Sequence, residues 1–486
     1  MRDAVPDDPL DRLADLNRPG AYRPDRKSLE IGSDVEIAGR VGDDLHRSNG
    51  DIVHAEGHFW RYGGTHWVTI PEHELRRAVH TYDGADFETP TGEPSRVKLS
   101  KSRVDSVLNE LAAAIAKPSF FESVAVGINC ASGFIRFDTD GAPSHESHEP
   151  DHRCRHTLPG RWSPETGSSP AEGSMLGRLL GGVFRGDDDA TAKIELLGEI
   201  VGAAALGYAT KLRQPRAIIL KGETAENGKS QILDLARGLL PPSAICSVTA
   251  GRMGDERHII GLVGKLLNAS DELSSADAIA SETFKAVVTG EPVQGRDVYK
   301  SRVEFRPVAQ HLFAANNLPS FAGGMDRGVQ RRLLLIQFNR VIPTEERIEA
   351  IGRRIAEEEP DLLLAWAVRG AARLIQFRDF SIPASSKAAL NDWLYGADSV
   401  LAWLAECVET RPIVDDEPKV RTSYAHRQFR AWAEATGFKR DTLPAINVFV
   451  QRIKANAAGI EYRRRSDGPV FLGMVVRHFT PPPPFR

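Results

Sequence analysis

Two hydrophobic patterns alternate along the chain, a helical recurrence every three to four residues and short β-prone runs. "KSRVDSVLNELAAAIAK" (101–117) and "ATAKIELLGEIVGAAALGYAT" (190–210) follow the helical period, and residues 345–380 return to it. The aromatic runs in "HFWRYGGTHWVTI" flank Gly63-Gly64 and predict a hairpin, followed by a Pro-started helix in "PEHELRRAVHTY". "VGINCASGFIRFDTDGA" predicts a second hairpin turning at Ser132-Gly133. Between 216 and 340, apolar runs at Ala217–Leu220, Leu262–Ala269, His311–Ala315 and Leu333–Phe338 alternate with helical or turn segments, the pattern of an α/β domain. After Ser385, "SVLAWLAECV", "SYAHRQFRAWAEATG" and "AINVFVQRIKANA" predict three helices, and "IEYRRR" with "PVFLGMVV" a terminal hairpin; together they suggest a winged helix.

These patterns divide the 486 residues into a polar, partly disordered start with a short helix near Leu10–Leu16 (1–50), a small α+β domain (51–165), a helical collar (166–212), an α/β domain (213–345), a helical extension (346–385) and a tail domain (386–486). Residues 140–172 are rich in Pro, Gly, Ser and His and predict a long connection.

Composition adds charge asymmetry. The chain is 41% apolar and 26% charged, with a net charge of −4, so the whole carries no nucleic-acid bias. Residues 411–486, however, hold 14 Lys and Arg against 7 Asp and Glu, an excess of seven positive charges that leaves −11 on everything before them. Four dispersed cysteines without a CxxC spacing argue against a disulfide framework and against a cysteine zinc site, and fit a reducing cytoplasm. The acidic N-terminus lacks the apolar stretch of a signal peptide, and no apolar run is long enough to span a bilayer, so a soluble intracellular protein is expected.

The chemistry centres on "LKGETAENGKSQI" (220–232). A β-prone run, "RAIIL", precedes it and an amphipathic one, "QILDLARGLL", follows, so the loop lies between a strand and a helix N-terminus, the setting of a phosphate cradle. Five residues rather than four separate Gly222 from Gly228, which puts Gly222 in question. Gly222, Glu226, Asn227 and Gly228 are candidate cradle residues; Lys229 would reach the β/γ-phosphates of ATP and the Ser230 hydroxyl would help hold Mg²⁺. The alternative is an ordinary Gly-rich turn.

An ATPase also needs a carboxylate for its metal and a group to activate water. "LLNASDE" ends an apolar run in Asp271, a candidate Mg²⁺ acid, and Glu272, a candidate for orienting or deprotonating water. "HLFAANNLPSF" ends in Asn316-Asn317, where an amide could position that water. In "MDRGVQRRLLLIQF", Arg331 and Arg332 precede another strand, and either could act as an arginine finger toward a neighbouring subunit. Each has a plain reading as a solvated loop or turn.

Taken in order, with "ETFKAVVTGEPVQGRDVYKSRVEFRP" between the acids and the asparagines, these motifs resemble superfamily III helicases of the phage and poxvirus primase-helicase type. The resemblance implies an AAA+-like P-loop ATPase core. It makes Lys229 and Ser230 the Walker A pair, Asp271 and Glu272 the Walker B acids, Asn316 the sensor, with Asn317 as its substitute, and Arg332 the finger, with Arg331 as its substitute. It further implies a ring, by analogy a hexamer, acting on single-stranded or forked DNA. A channel hairpin would touch the DNA through Lys300 and Arg296, and a separate primase would be a partner. The early domain and the tail resemble the flanking domains of that family, and a primase-polymerase domain is not expected.

Two further clusters stand out. "HESHEPDHRCRH" gathers His145, His148, His152, Cys154 and His156, but no second ligand pair follows at zinc-finger spacing, so a polar loop is the preferred reading. In the tail, basic residues including Arg427, Arg430 and Arg464 interleave with aromatics; backbone-directed, salt-sensitive DNA contact is preferred there over solvated charges.

Overall fold

The computed structural model describes residues 27–165, 173–273, 278–296, 302–322, 325–438, 440 and 443–477, in two compact units that divide between Val124 and Ala125. The helix expected near Leu10–Leu16 lies outside the described residues.

In the first unit, α1 (Asp34–Asn49) overturns the expectation of a polar start running to residue 50. Ser33 caps it by accepting from the Glu36 amide, and Glu36 in turn accepts from the amides of Glu30, Ile31 and Gly32, which fixes the chain's entry. Ile37, Ala38, Val41 and Leu45 form its buried stripe, spaced by three and four residues but diluted by the charged residues between them. The Gly63-Gly64 hairpin is present as β2 (His58–Tyr62) and β3 (Trp67–Thr69), extended by β1 (Ile52–Ala55). Helices α2 (Glu72–His80) and α3 (Lys101–Ala114) share α1's core, and β4 (Asp86–Glu88) pairs with β5 (Pro94–Arg96).

The second unit begins earlier than residue 166. Strands β6 (Gly127–Cys130), β7 (Gly133–Phe137) and β8 (Pro143–Glu146) belong to it, because Ile128, Cys130, Ile135 and Phe137 join the same core as the helices that follow. Those helices are α4 (Met175–Val183) and α5 (Ala190–Leu206).

Five parallel strands form the central sheet: β9 (Ala217–Lys221), β10 (Ile245–Cys246), β11 (Leu267–Ser270), β14 (Gln310–Ala315) and β15 (Leu333–Gln337), in spatial order β10-β11-β14-β9-β15. Being buried on both faces, they are mostly apolar, with Asn268, Ser270, Gln310 and His311 as buried polar exceptions. Ile218 and Leu220 of β9 enter one core with α5, while Ala217 and Ile219 enter the other, as strand alternation requires. Between β9 and β11 lie α6 (Lys229–Gly238) and the short α7 (Glu256–Ile259). Helix α8 (Ser281–Thr289), the hairpin β12 (Val293–Gly295)–β13 (Val303–Phe305) and α9 (Arg327–Gln330) come before β15. Helices α10 (Ile351–Glu358) and α11 (Pro360–Phe377) follow it.

Helix α11 crosses α5 so closely that a Cβ on Gly370 would lie 1.9 Å from the Gly198 carbonyl oxygen. Helix α12 (Ala384–Ala397) places Ala389, Trp393 and Leu394 in the second core of the central sheet, so the tail's own core starts later than residue 386. That core comprises α13 (Ser399–Cys407), α14 (Thr422–Ala435), α15 (Ile446–Asn456) and the antiparallel sheet β17 (Lys419–Arg421)–β19 (Gly468–Leu472)–β18 (Glu461–Arg465), packed around Trp403, Phe429, Phe449 and Phe471. A further pair joins β16 (Val408–Thr410) to β20 (Met474–Val476). Among the described residues no helix is long and apolar enough to cross a membrane.

Candidate functional site

Strand order assembles the site. Because β14 lies between β9 and β11, the C-terminal tips of all three stand side by side, the edge of an open parallel sheet where ligands bind. Two backbone bonds join the tips: the Gly222 amide donates to the Ala315 carbonyl (3.2 Å) and the Leu273 amide to the Ala314 carbonyl (3.1 Å). Residues 222–230, the acids Asp271 and Glu272, and Asn316 and Asn317 are thereby brought to one edge.

The loop closes on Lys229. Its Nζ donates to the Gly222 carbonyl (2.9 Å), to Asn227 Oδ1 (3.1 Å) and to the Thr224 carbonyl (3.5 Å), while Asn227 Nδ2 also donates to Thr224 O (2.6 Å). Lys229 and Asn227 are buried, and burial holds the Lys229 ammonium below its ordinary pKa. A Cβ on Gly222 would lie 2.2 Å from Asn227 Nδ2 and 2.8 Å from Lys229 Nζ. A side chain at residue 222 would therefore displace Asn227 and Lys229 from their present bonds. Gly228, at φ +89°, ends the loop, and none of the amides of residues 223–228 donates to a backbone carbonyl among the described residues. Amides without a backbone acceptor beside a helix N-terminus are the type of donor an anion can use.

The longer loop takes an αL conformation at Glu226 (φ +60°). Glu226 faces away from Lys229's ring of acceptors: Arg347 grips its carboxylate, and its carbonyl accepts from the Ile342 amide (3.0 Å). A cavity of 620 Å³ adjoins this side, with Leu179, Gly228, Ile342 and Arg347 among its lining.

On β11's tip, Asp271 is covered by Arg237 from the last turn of α6, which donates Nη1 to Oδ1 (3.0 Å) and Nη2 to Oδ2 (2.7 Å). Glu272 is exposed, and its carbonyl accepts from the Ser270 hydroxyl (3.3 Å). Ser230 is exposed at the start of α6. A hydroxyl and a carboxylate are of the donor types that fit Mg²⁺, which takes few protein ligands and keeps waters for its other positions.

The arginine pair lies elsewhere. Leu333 is in register with Ala217, so Arg331 and Arg332 stand at the N-terminal edge of the sheet, about 17 Å of strand from the loop. Arg332 is buried and donates Nη1 to the Gly328 carbonyl (2.9 Å), whereas Arg331 is exposed.

The DNA candidates divide similarly. Arg296 is exposed just after β12, and Lys300 lies outside the described residues. In the tail, Arg463 pairs with Asp416 (3.0 Å) and Glu461 (2.8 Å), Arg465 with Asp416, Arg452 with Asp398 (3.1 Å) and Arg430 with Glu434 (3.8 Å). Arg427 is exposed and sits over the Tyr424 ring (5.6 Å), and Arg464 is exposed on β18.

The histidines are engaged in packing. His145 Nε2 bonds the Ser132 carbonyl (2.9 Å), His148 Nδ1 bonds Asn129 Oδ1 (2.8 Å), His152 stacks on Phe134 (4.0 Å) and His156 Nε2 bonds the Gly264 carbonyl (2.8 Å). Burial pushes the Cys154 thiol up to about 12, and no group of three potential metal ligands among His, Cys, Asp and Glu occurs among the described residues.

Sequence reasoning missed Arg237 and Arg347. Their partners lie 34 and 121 residues away in the chain, and no local spacing signals such pairs.

Residues 220–332 match a family of unknown function, DUF5906. No curated protein matches. Among solved structures, the chain is similar to the apo C-terminal region of NrS-1 at 12% identity and a TM-score of 0.43, covering 90% of this chain and 99% of that one. A second structure, of NrS-1 residues 305–718, gives 13% identity and a TM-score of 0.35 over 72% of this chain and 95% of that one.

Proposed function

We propose that the chain is an ATP-driven, ring-forming DNA helicase of superfamily III, acting in the replication of a phage or mobile element. The observation that carries this reading is the convergence, on one sheet edge, of a buried lysine inside a loop of free amides, two acids and an asparagine tip. In this reading the triphosphate lies along residues 222–230, and phosphate oxygens replace the carbonyl acceptors of Lys229. The nucleoside lies toward Gly228 and the adjoining cavity. Ser230 and Asp271 would hold Mg²⁺, which would supply neutralisation of charge on the phosphates. Glu272 orients the attacking water, and Asn316 registers the γ-phosphate.

Arg331 or Arg332, at the far edge, serves the site of the next subunit, which makes the ring, a hexamer in this reading, part of the mechanism. Arg296, just after β12, and Lys300 contact one DNA strand, and Arg427 and Arg464 of the tail bind backbone phosphates. A DNA-binding initiator that uses ATP as an assembly switch is the second reading, favoured by one observation: Arg237 covers the acid that would hold the metal.

Displacement of a labelled strand from a fork, with ATP or a non-hydrolysable analogue, separates the two. The helicase displaces the strand only with ATP. Oligomerisation on DNA with either nucleotide, and no displacement, identifies the switch.

A further inference from the structure

Arg237 has two acidic neighbours. Both of its terminal nitrogens bond Asp271, Nη2 also donates to the Ala269 carbonyl (3.2 Å), and Asp234 Oδ1, one turn back on α6, lies 3.5 Å from Nη1. A cavity of 820 Å³, lined by Gln231, Asp234, Arg237, Cys246 and Arg353, opens beside them and gives the guanidinium room to turn. A carboxylate covered bidentately by a guanidinium repels a second cation, so metal and Arg237 compete for Asp271. Asp271 is 61% exposed and the pair is correspondingly weak, within the range that a metal–nucleotide complex overcomes.

We propose that Arg237 is a two-position counter-ion, which covers Asp271 when nucleotide is absent and moves onto Asp234 when Mg²⁺–nucleotide binds. The proposal rests on the reading of residues 222–230 as a phosphate cradle. It makes Arg237 a positioning residue that sets how much Mg²⁺ the site needs. A strut joining α6 to β11 would predict the opposite, since its loss loosens Asp271 and weakens metal binding.

The test is equilibrium binding of a fluorescent ATP analogue to the full chain across a Mg²⁺ titration, with folding checked by circular dichroism. Arg237→Gln should lower the Mg²⁺ concentration at half-saturation about fivefold. Asp234→Asn, which removes the second position, should raise it, and should change nothing in the Arg237→Gln background. An unchanged or raised Mg²⁺ requirement in folded Arg237→Gln overturns the proposal, as does a lowered requirement in Asp234→Asn, which can be read even if Arg237→Gln does not fold. Absence of analogue binding by the wild-type chain at every Mg²⁺ concentration overturns the cradle reading as well.

Discussion

Arg347 holds Glu226 with both terminal guanidinium nitrogens, each 2.6 Å from a carboxylate oxygen, and so ties the enlarged 222–230 loop to the segment after β15. The pair is partly exposed, so its contribution to stability is small, about 0.2–1 kcal/mol. Its effect should fall on loop position. Arg347→Ala should leave the melting temperature within about 2 °C of wild type and raise KM for ATP roughly tenfold. A large fall in melting temperature with unchanged KM would count against this role.

His311 sets an acid limit on stability. It is fully buried on β14, its Nδ1 lies 3.1 Å from Asn268 Nδ2, and burial lowers its pKa from 6.5 to about 4. The unfolded chain therefore binds more protons between pH 4 and 6.5, so this contribution is complete above pH 6.5 and is lost as pH falls toward 4. The loss amounts to roughly 3 kcal/mol at about 1.4 kcal/mol per pH unit. Urea unfolding at pH 5 and 7 checks it: the difference should shrink in His311→Gln.

The α5–α11 crossing and the exposed Gly181 give opposite expectations for the same substitution. Gly370→Ala puts a methyl against the Gly198 carbonyl and should cost about 1–3 kcal/mol or more. Gly181→Ala, inside α4 with open space around it, should stabilise by about 0.5–1 kcal/mol. Thermal melts of the two variants report both signs.

How much of this was legible in the sequence depends on the range of the interaction. The strand runs were readable because buried parallel strands are largely apolar; the run begun at Leu262 starts as strand only at Leu267, after Gly264 turns the chain at φ +68°. Lys229, Asp271 and Asn316 were readable as motifs. Their meeting at one edge was implied only by the family resemblance, because local periodicity does not reveal that β14 inserts between β9 and β11, a pairing of residues about 40 to 95 apart in the chain. Helix α1 was hidden by its charged residues, and the tail's basic excess did not tell which arginines are paired: Asp398 holds Arg452, Asp416 and Glu461 hold Arg463, and Glu434 lies beside Arg430.

Exposure separates the two finger candidates. Arg331 is free to meet a neighbour, while Arg332 bonds Gly328 O. Arg331→Ala should lower ATP turnover by about 10³-fold and leave the melting temperature unchanged. Arg332→Ala should lower the melting temperature. Turnover at wild-type level in Arg331→Ala would shift the role to Arg332.

Steady-state ATP hydrolysis by the wild-type chain and Lys229→Ala, with and without single-stranded DNA, decides whether residues 222–230 drive a DNA motor. A helicase hydrolyses ATP faster with DNA and loses at least about 100-fold of that rate in the variant. Hydrolysis indifferent to DNA, or retained in Lys229→Ala, would contradict the helicase reading.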